Sequence, residues 1–260
     1  MEIDPGHAST VIVDSYRNLN QPPLSESNSY KGLRIHALPG LHEFLAAVTL
    51  KHMKIGSSLL DIAAGSGAMS QRLSDMGYQV TATDYVTENF KLHSSIPFVT
   101  SNLNELFSNE YSLSFEAIIA SEIIEHLENP RHFARECFKL LAPGGKLVLS
   151  TPNIDSPASI ASFLRSGTFL WFSDTEYQVD GHITPLSQWQ LHKCFSEAGF
   201  LFRWKGSFGK SEQRIQGSPR LMLLTKGVQR LSCRSNDLEG EIFVAVLEKP
   251  EAGTSASGCV

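Results

Sequence analysis

The 260-residue chain has no apolar run near the roughly 18 residues that a membrane-spanning helix needs. It has no basic excess: 22 Lys+Arg face 27 Asp+Glu, a net charge of −5. That balance disfavours a nucleic-acid partner, because such binding starts from a basic footprint. Its four cysteines, Cys137, Cys194, Cys233 and Cys259, form no CxxC pair, which points to reduced thiols. Met1-Glu2-Ile3-Asp4-Pro5 supplies neither a basic n-region nor an apolar h-region, so a cytoplasmic protein without a signal peptide is expected. No internal repeat is visible. Disorder is not the default either, since 42% of residues are hydrophobic and can fill a core.

What is present alternates. Residues 1–40, irregular and rich in Asn, Ser and Pro, read as a loose N-terminal arm. Leu41, Phe44, Leu45, Val48 and Met53 recur at helical spacing. Strands are expected at 58–64, 78–83, 98–100, 115–120, 146–150, 200–205 and 241–247. Helices are expected after Gly67, after an Asn129 N-cap with Pro130 in the first turn, and after a Ser187–Gln190 capping box. The pattern predicts an α/β, Rossmann-like three-layer sandwich with a mostly parallel sheet, and ligand loops at the strands' carboxyl ends. Residues 41–250 form the domain. The segment 151–186 is too long for an ordinary connection and carries Phe163, Phe169, Leu170, Trp171, Phe172 and Tyr177. It reads either as a lid over a substrate or as a small helical insertion with its own core. Residues 251–260 read as a disordered tail.

The first strand, ending in Asp61-Ile-Ala-Ala, runs into Gly65-Ser-Gly67. Glycines there let the backbone approach a ligand, and the helix that follows aims free N–H groups at it. Asp84 ends the second strand, 19 residues past Gly65, where a carboxylate can accept both ribose hydroxyls. Three details separate the candidate ligands. Ser70 stands where a dinucleotide fingerprint has its third glycine. Asp61 would repel a pyrophosphate but suits an ammonium group. No Tyr-x-x-x-Lys pair occurs. A ligand with ribose, adenine and ammonium but no phosphate is S-adenosyl-L-methionine.

Asp61-Ile-Ala-Ala-Gly-Ser-Gly67 resembles the first motif of class I S-adenosylmethionine-dependent methyltransferases, and Asp84 resembles their ribose-binding acid. The stretches Ser121-Glu-Ile-Ile-Glu-His126 and Leu141-Ala-Pro-Gly-Gly to Asn153 are similar to later motifs of the same family, in the same order. The resemblance covers roughly residues 40–205. It implies a seven-stranded sheet with an antiparallel last strand. It implies that Asp61, Ala63, Gly65 and Gly67 surround the methionine end of the cofactor, with Glu122 beside them. Tyr85 would pack on the adenine, and Asn102-Leu103 would stand near the adenine amine, where the family usually has an acid.

Glu122, Glu125 and His126 stand at i, i+3 and i+4, one face if the stretch is helical. With His182 they make a candidate set for Mg²⁺, Mn²⁺ or Fe²⁺. A similar Glu-x-x-Glu-His set occurs in a subset of the family that includes ubiquinone-pathway and RNA 3′-terminal O-methyltransferases. Without a metal, His126 or His182 is the candidate general base. His36 and His42 flank the first helix and are expected at the surface. The expected acceptor is a small molecule. The Gly181-His-Ile-Thr-Pro185 stretch behind an aromatic lid resembles family members tied to sugar modification, which favours a sugar or glycan hydroxyl. A quinone-pathway phenol is the alternative, and a non-catalytic partner of the same fold is the reading from another class.

Overall fold

The computed structural model describes residues 28–232 and 238–251. A two-stranded hairpin, β1 (Ser29–Tyr30) and β2 (Leu33–Arg34), precedes helix α1 (Leu41–His52). Seven strands then form the central sheet: β3 (Ser58–Ile62), β4 (Gln79–Asp84), β5 (Phe98–Thr100), β6 (Phe115–Ser121), β7 (Leu141–Pro152), β8 (Leu201–Phe208) and β9 (Ile242–Glu248). Their order is β5-β4-β3-β6-β7-β9-β8; β3 to β7 pair in parallel and β9 runs antiparallel to both its neighbours. The Rossmann-like sheet with an antiparallel last strand is therefore the one expected. The chain leaves β3 in one direction for β4 and β5 and in the other for β6 and β7. That reversal opens a crevice at the carboxyl ends of β3 and β6.

The strands are apolar because both faces are covered, and the side-chain period of two sends alternate residues to opposite layers. Leu60, Ile62, Ile118, Ala120, Leu147, Leu149, Phe243, Ala245 and Leu247 enter one core. Leu59, Ala117, Ile119, Val148, Ile242, Val244 and Val246 enter the other. Helices α3 (Pro130–Leu140) and α6 (Gln188–Glu197) cover the first through Phe133, Cys137, Leu191 and Phe195. Helices α1 and α2 (Ala68–Asp75) cover the second through Leu41, Leu45, Met69 and Leu73. The caps read from sequence are made. Asn129 Oδ1 accepts the His132 N–H at 3.0 Å, and Ser187 and Gln190 form a reciprocal box. Cys137 and Cys194 are buried free thiols; Cys233 and Cys259 lie outside the described residues.

Two readings differ clearly from expectation. Strand β7 begins at Leu141, with residues 142–145 looped out between the Phe115↔Leu141 and Ala117↔Lys146 pairs. Residues 28–40 are no loose arm: they form the hairpin and a segment against α1, while residues 1–27 lie outside the description. Of the expected disordered tail, only Glu251 is described. The long 151–186 segment holds helices α4 (Pro157–Ser166) and α5 (Asp174–Asp180). A second insertion, between β8 and β9, holds α7 (Ser211–Arg214) and α8 (Pro219–Leu231). Ala158 and Ala161 of α4 pack with Ile215 and Leu221, so the two insertions share a small core of their own. Among the described residues, no helix is long and apolar enough to cross a membrane.

Candidate functional site

A cavity of about 620 Å³ lies at the carboxyl ends of β3, β4 and β6. Asp61, Ala63, Gly65, Asp84, Tyr85, Asn102, Leu103 and Glu122 all line it. The loop after β3 is built on left-handed backbone: Ala63 has φ 60°, Gly65 φ 53° and Gly67 φ 92°. A Cβ at Gly65 would meet nothing within 4 Å, so that glycine faces open space in the cavity. Gly67 does not line the cavity. A Cβ there would come within 2.9 Å of Phe90 and Leu92, so this glycine lets α2 start hard against the core. Asp84 Oδ2 accepts the Gly65 N–H at 2.8 Å and Oδ1 accepts the Val86 N–H at 2.9 Å. One carboxylate thus fixes the glycine loop and presents its remaining lone pairs to the cavity.

Asp61 is buried, and its Oδ2 accepts the Ser70 hydroxyl at 2.5 Å. Burial pushes its carboxyl up to about 7; the Ser70 bond opposes this and the nearby Asp84 charge adds to it. A carboxyl held so far above its ordinary value is one whose charged form a bound cation would stabilise. Asn102 is committed locally, accepting the Asn104 N–H at 3.1 Å.

The N-terminal segment closes the cavity on the other side, a feature that composition alone does not reveal. Arg34, Ile35, His36, Ala37, Leu38 and Pro39 line it, and the Ser66 hydroxyl holds Arg34 O at 2.6 Å. His36 stays exposed at the rim, as expected. His42 does not: it is buried, lines the cavity, and its Nδ1 has no hydrogen-bond partner. Burial, aided by Arg72, lowers it to about 4 against the weaker pull of Glu43, so it is neutral. The surface expectation fails because α1 packs its first turn, His42 included, against the sheet's ligand edge.

The Glu-x-x-Glu-His stretch is not one helical face. Glu122 follows the end of β6 with φ 50°, and only Ile124–His126 form a 3-10 turn. Glu122 turns back to Ser150, whose Oγ donates to Oε1 at 2.8 Å, and burial raises its carboxyl to about 7. Glu125, His126 and His182 do converge: one ligand atom from each lies within 4.8 Å of the others. Glu122 falls outside that set. The loop carrying His182 is docked by Ile183 and Thr184 N–H groups on Glu125 O, at 3.2 and 2.9 Å, and by the Thr184 hydroxyl on Leu127 O at 2.7 Å. The His126 and His182 rings then meet edge to face, 4.8 Å between centroids.

Glu125 is fully buried. Its Oε2 accepts the Thr151 hydroxyl at 2.9 Å, and its Oε1 has no hydrogen-bond partner. Burial, reinforced by the Glu122 charge, raises its carboxyl well above the ordinary range. Burial lowers His126 to about 3, and His182 is lowered by the same cause. His182 Nδ1 bonds Trp171 O at 2.7 Å, which leaves Nε2 with its lone pair. Trp171 itself lines the cavity in left-handed backbone, φ 71°, a costly conformation for a bulky residue. Arg214 covers its ring at 3.5 Å and is held by Glu176 at 2.6 Å. The indole N–H is buried without an acceptor. Tyr177, Asp180 and Ile183 complete this end, so the 151–186 segment both lines the cavity and takes part in a small core of its own.

A family model describing a methyltransferase domain matches residues 30–201. The chain is 32% identical over 139 residues to the mitochondrial ubiquinone biosynthesis O-methyltransferase of Arabidopsis thaliana, covering 50% of this chain and 43% of that protein. It is 35% identical over 135 residues to the ubiquinone biosynthesis O-methyltransferase of Xanthomonas axonopodis pv. citri, covering 49% and 55%. The chain spans about half the length of these curated relatives. Two solved structures align along nearly the whole chain. The [4+2]-cyclase SpnF has a TM-score of 0.58 at 15% identity, covering 93% and 94% of the two chains. Phosphoethanolamine N-methyltransferase 2 of Haemonchus contortus, in complex with S-adenosyl-L-methionine, has 0.56 at 16%, covering 92% and 57%. At such identities the likeness is one of fold, and the pairing of a cyclase with a methyltransferase shows why fold alone does not assign chemistry.

Proposed function

The chain belongs to the methyltransferase-domain family, and from that premise we propose that it moves the methyl group of S-adenosyl-L-methionine to a phenolic hydroxyl of a small molecule. The observation that carries this reading is the sharing of one cavity. Asp61, Gly65, Asp84 and Tyr85 line its cofactor half; His126, His182 and Trp171 line the other. Asp61 receives the ammonium, Asp84 the ribose hydroxyls, and Tyr85 stacks on the adenine. Gly65 leaves room for the methionine chain.

The methyl group passes in line from the sulfonium to the acceptor oxygen, and the C–S electron pair stays on sulfur. The acceptor's proton goes to Nε2 of His182, whose other nitrogen is fixed by Trp171 O. Burial makes this imidazole a weaker base than usual. A phenol, with a pKa of about 10, matches such a base far better than an aliphatic hydroxyl. That match, together with relatives named for O-methylation in ubiquinone biosynthesis, moves the reading from the sugar hydroxyl to the phenol.

In place of that base role, Glu125, His126 and His182 would also fit a divalent cation such as Mg²⁺ or Mn²⁺, with His182 Nε2 then a ligand and not the base. The orphaned Oε1 of Glu125 is the observation that favours it, and a neutral His182 whose Nδ1 is anchored to a carbonyl is oriented as a ligand usually is. A bound cation would hold two adjacent acceptor oxygens and lower the pKa of one. Product analysis after incubation with the cofactor and either catechol, 3,4-dihydroxybenzoate or a methyl glycoside tests the acceptor. Methyl ethers of the phenols are expected; methylation of the glycoside alone overturns the reading. Full activity after exhaustive chelation removes the cation from it.

A further inference from the structure

The acceptor half of the cavity holds an acid that the chemistry above does not use. Asp180, the last residue of α5, is half-buried and lines the cavity just before His182. Gly181, with φ 75°, makes the turn between them, and the Ile183 and Thr184 bonds to Glu125 O dock the stretch that follows. Among the described residues, the Asp180 carboxylate has no hydrogen bond and no ion pair. The cation whose charge bears on it, Arg214, is taken: Glu176 holds it at 2.6 Å, over the Trp171 ring. Burial raises the Asp180 carboxyl above its ordinary value, as befits an acid short of a partner. The cavity as a whole is poor in positive charge. Arg34 is the single Lys or Arg among the described residues that line it, and its carbonyl is held at the glycine loop by Ser66. Burial keeps His126 and His182 low, so neither imidazole carries a charge near pH 7. Asp61 and Asp84 serve the cofactor, and Glu122 turns to Ser150. Asp180 and the exposed Glu128 are left to face the acceptor, beside the rings of Trp171 and Tyr177.

We propose that the acceptor is a phenol whose side chain carries an amine, and that Asp180 is the residue that selects it by receiving the ammonium. The proposal rests on the phenol reading above and adds the charge of the substrate to it. An ammonium gives Asp180 the partner that Glu176 denies it, and aromatic rings beside the carboxylate attract a cation further. A phenol that carries a carboxylate sets its charge against Asp180 and Glu128, with Arg214 already committed, and like charges oppose binding. Asp180 and His182 stand on one docked stretch, so the ammonium and the phenolic oxygen are placed by the same piece of chain.

Calorimetry on the full chain loaded with S-adenosylhomocysteine tests this without turnover. Dopamine, 4-methylcatechol and 3,4-dihydroxybenzoate share a catechol ring and carry a positive, a neutral and a negative side chain. Dopamine is expected to bind about fivefold or more tightly than 4-methylcatechol, and 3,4-dihydroxybenzoate most weakly of the three. Asp180→Asn should bring dopamine to within about twofold of 4-methylcatechol, and Asp180→Glu should keep the order. Asp174→Asn, at the exposed start of the same helix, should leave the dopamine preference in place, which separates a contact at Asp180 from the charge of the region. The S-adenosylhomocysteine affinity of each variant reports that the fold and the cofactor half are intact. Two binding results overturn the proposal while the phenol reading stands. The parent binds the three ligands alike, or tightest to the benzoate; or Asp180→Asn keeps the dopamine advantage. Product analysis reads the other failure: dopamine methylated on nitrogen, or no catechol methylated on oxygen, removes the phenol reading and the proposal with it.

Discussion

Asp61 joins the cofactor half of the cavity to a measurable pH effect. Its carboxyl sits at about 7 in the folded chain against an ordinary 3.8, with burial as the main cause. A group whose pKa is higher folded than unfolded binds more protons in the folded state. Its contribution to stability is therefore fully present at low pH and is lost as pH rises through the window from about 4 to about 7. The full span corresponds to about 4 kcal/mol, at about 1.4 kcal/mol for each pH unit. Asp61→Asn removes the titration and keeps the size. Between about pH 5 and about pH 8 the parent should lose roughly 2–3 kcal/mol of stability relative to the variant. Urea unfolding of both proteins at the two pH values, without cofactor, reads this directly, and other titrating groups cancel in the difference. The same variant should bind S-adenosylhomocysteine at least tenfold more weakly at the higher pH, because the ammonium loses its charged partner; a hydrogen bond to a charge is worth about 1.5–3 kcal/mol. A stability difference independent of pH would refute the buried, ionising Asp61. Unchanged affinity in a folded variant would remove it from the ammonium.

Asp84→Ala should weaken S-adenosylhomocysteine binding by more than tenfold and also destabilise the chain by about 1–3 kcal/mol, since the Gly65 and Val86 N–H groups lose their acceptor; calorimetry and thermal unfolding separate the two effects. Gly65→Val should abolish cofactor binding while the chain stays folded, because the side chain projects into the cavity and not into protein; parent-like affinity would show that the loop faces elsewhere. Trp171→Phe keeps an aromatic wall but deletes the buried N–H, so it should raise the KM for 3,4-dihydroxybenzoate several-fold with the cofactor Kd unchanged; an unchanged KM would mean that the indole N–H meets no acceptor oxygen.

The sheet and the glycine loop were legible because their causes are local. Period-two apolar runs specify buried strands, Asn129-Pro130 and Ser187–Gln190 specify helix starts, and a Gly65/Gly67 loop between strand and helix admits few conformations. Spacing could name Asp61 and Asp84 because each is pinned to the end of a strand. It could not separate the two glycines: Gly65 opens onto the cavity, whereas Gly67 is needed because Phe90 and Leu92, from another stretch of chain, press on it.

The acceptor half was decided by tertiary structure. Helical spacing grouped Glu122 with Glu125 and His126, but Ser150, 28 residues away on β7, draws Glu122 aside. His182 reaches His126 through backbone bonds to Glu125 across more than fifty residues. His42 reads as a surface residue in an amphipathic helix until the sheet edge buries it. The partnership of α4 with α8 joins segments separated by one strand and three helices, α5, α6, β8 and α7. Sequence periodicity tells each helix which side is apolar; only the packed chain shows that α8 turns Leu221 toward α4 and leaves Leu223 and Leu231 exposed.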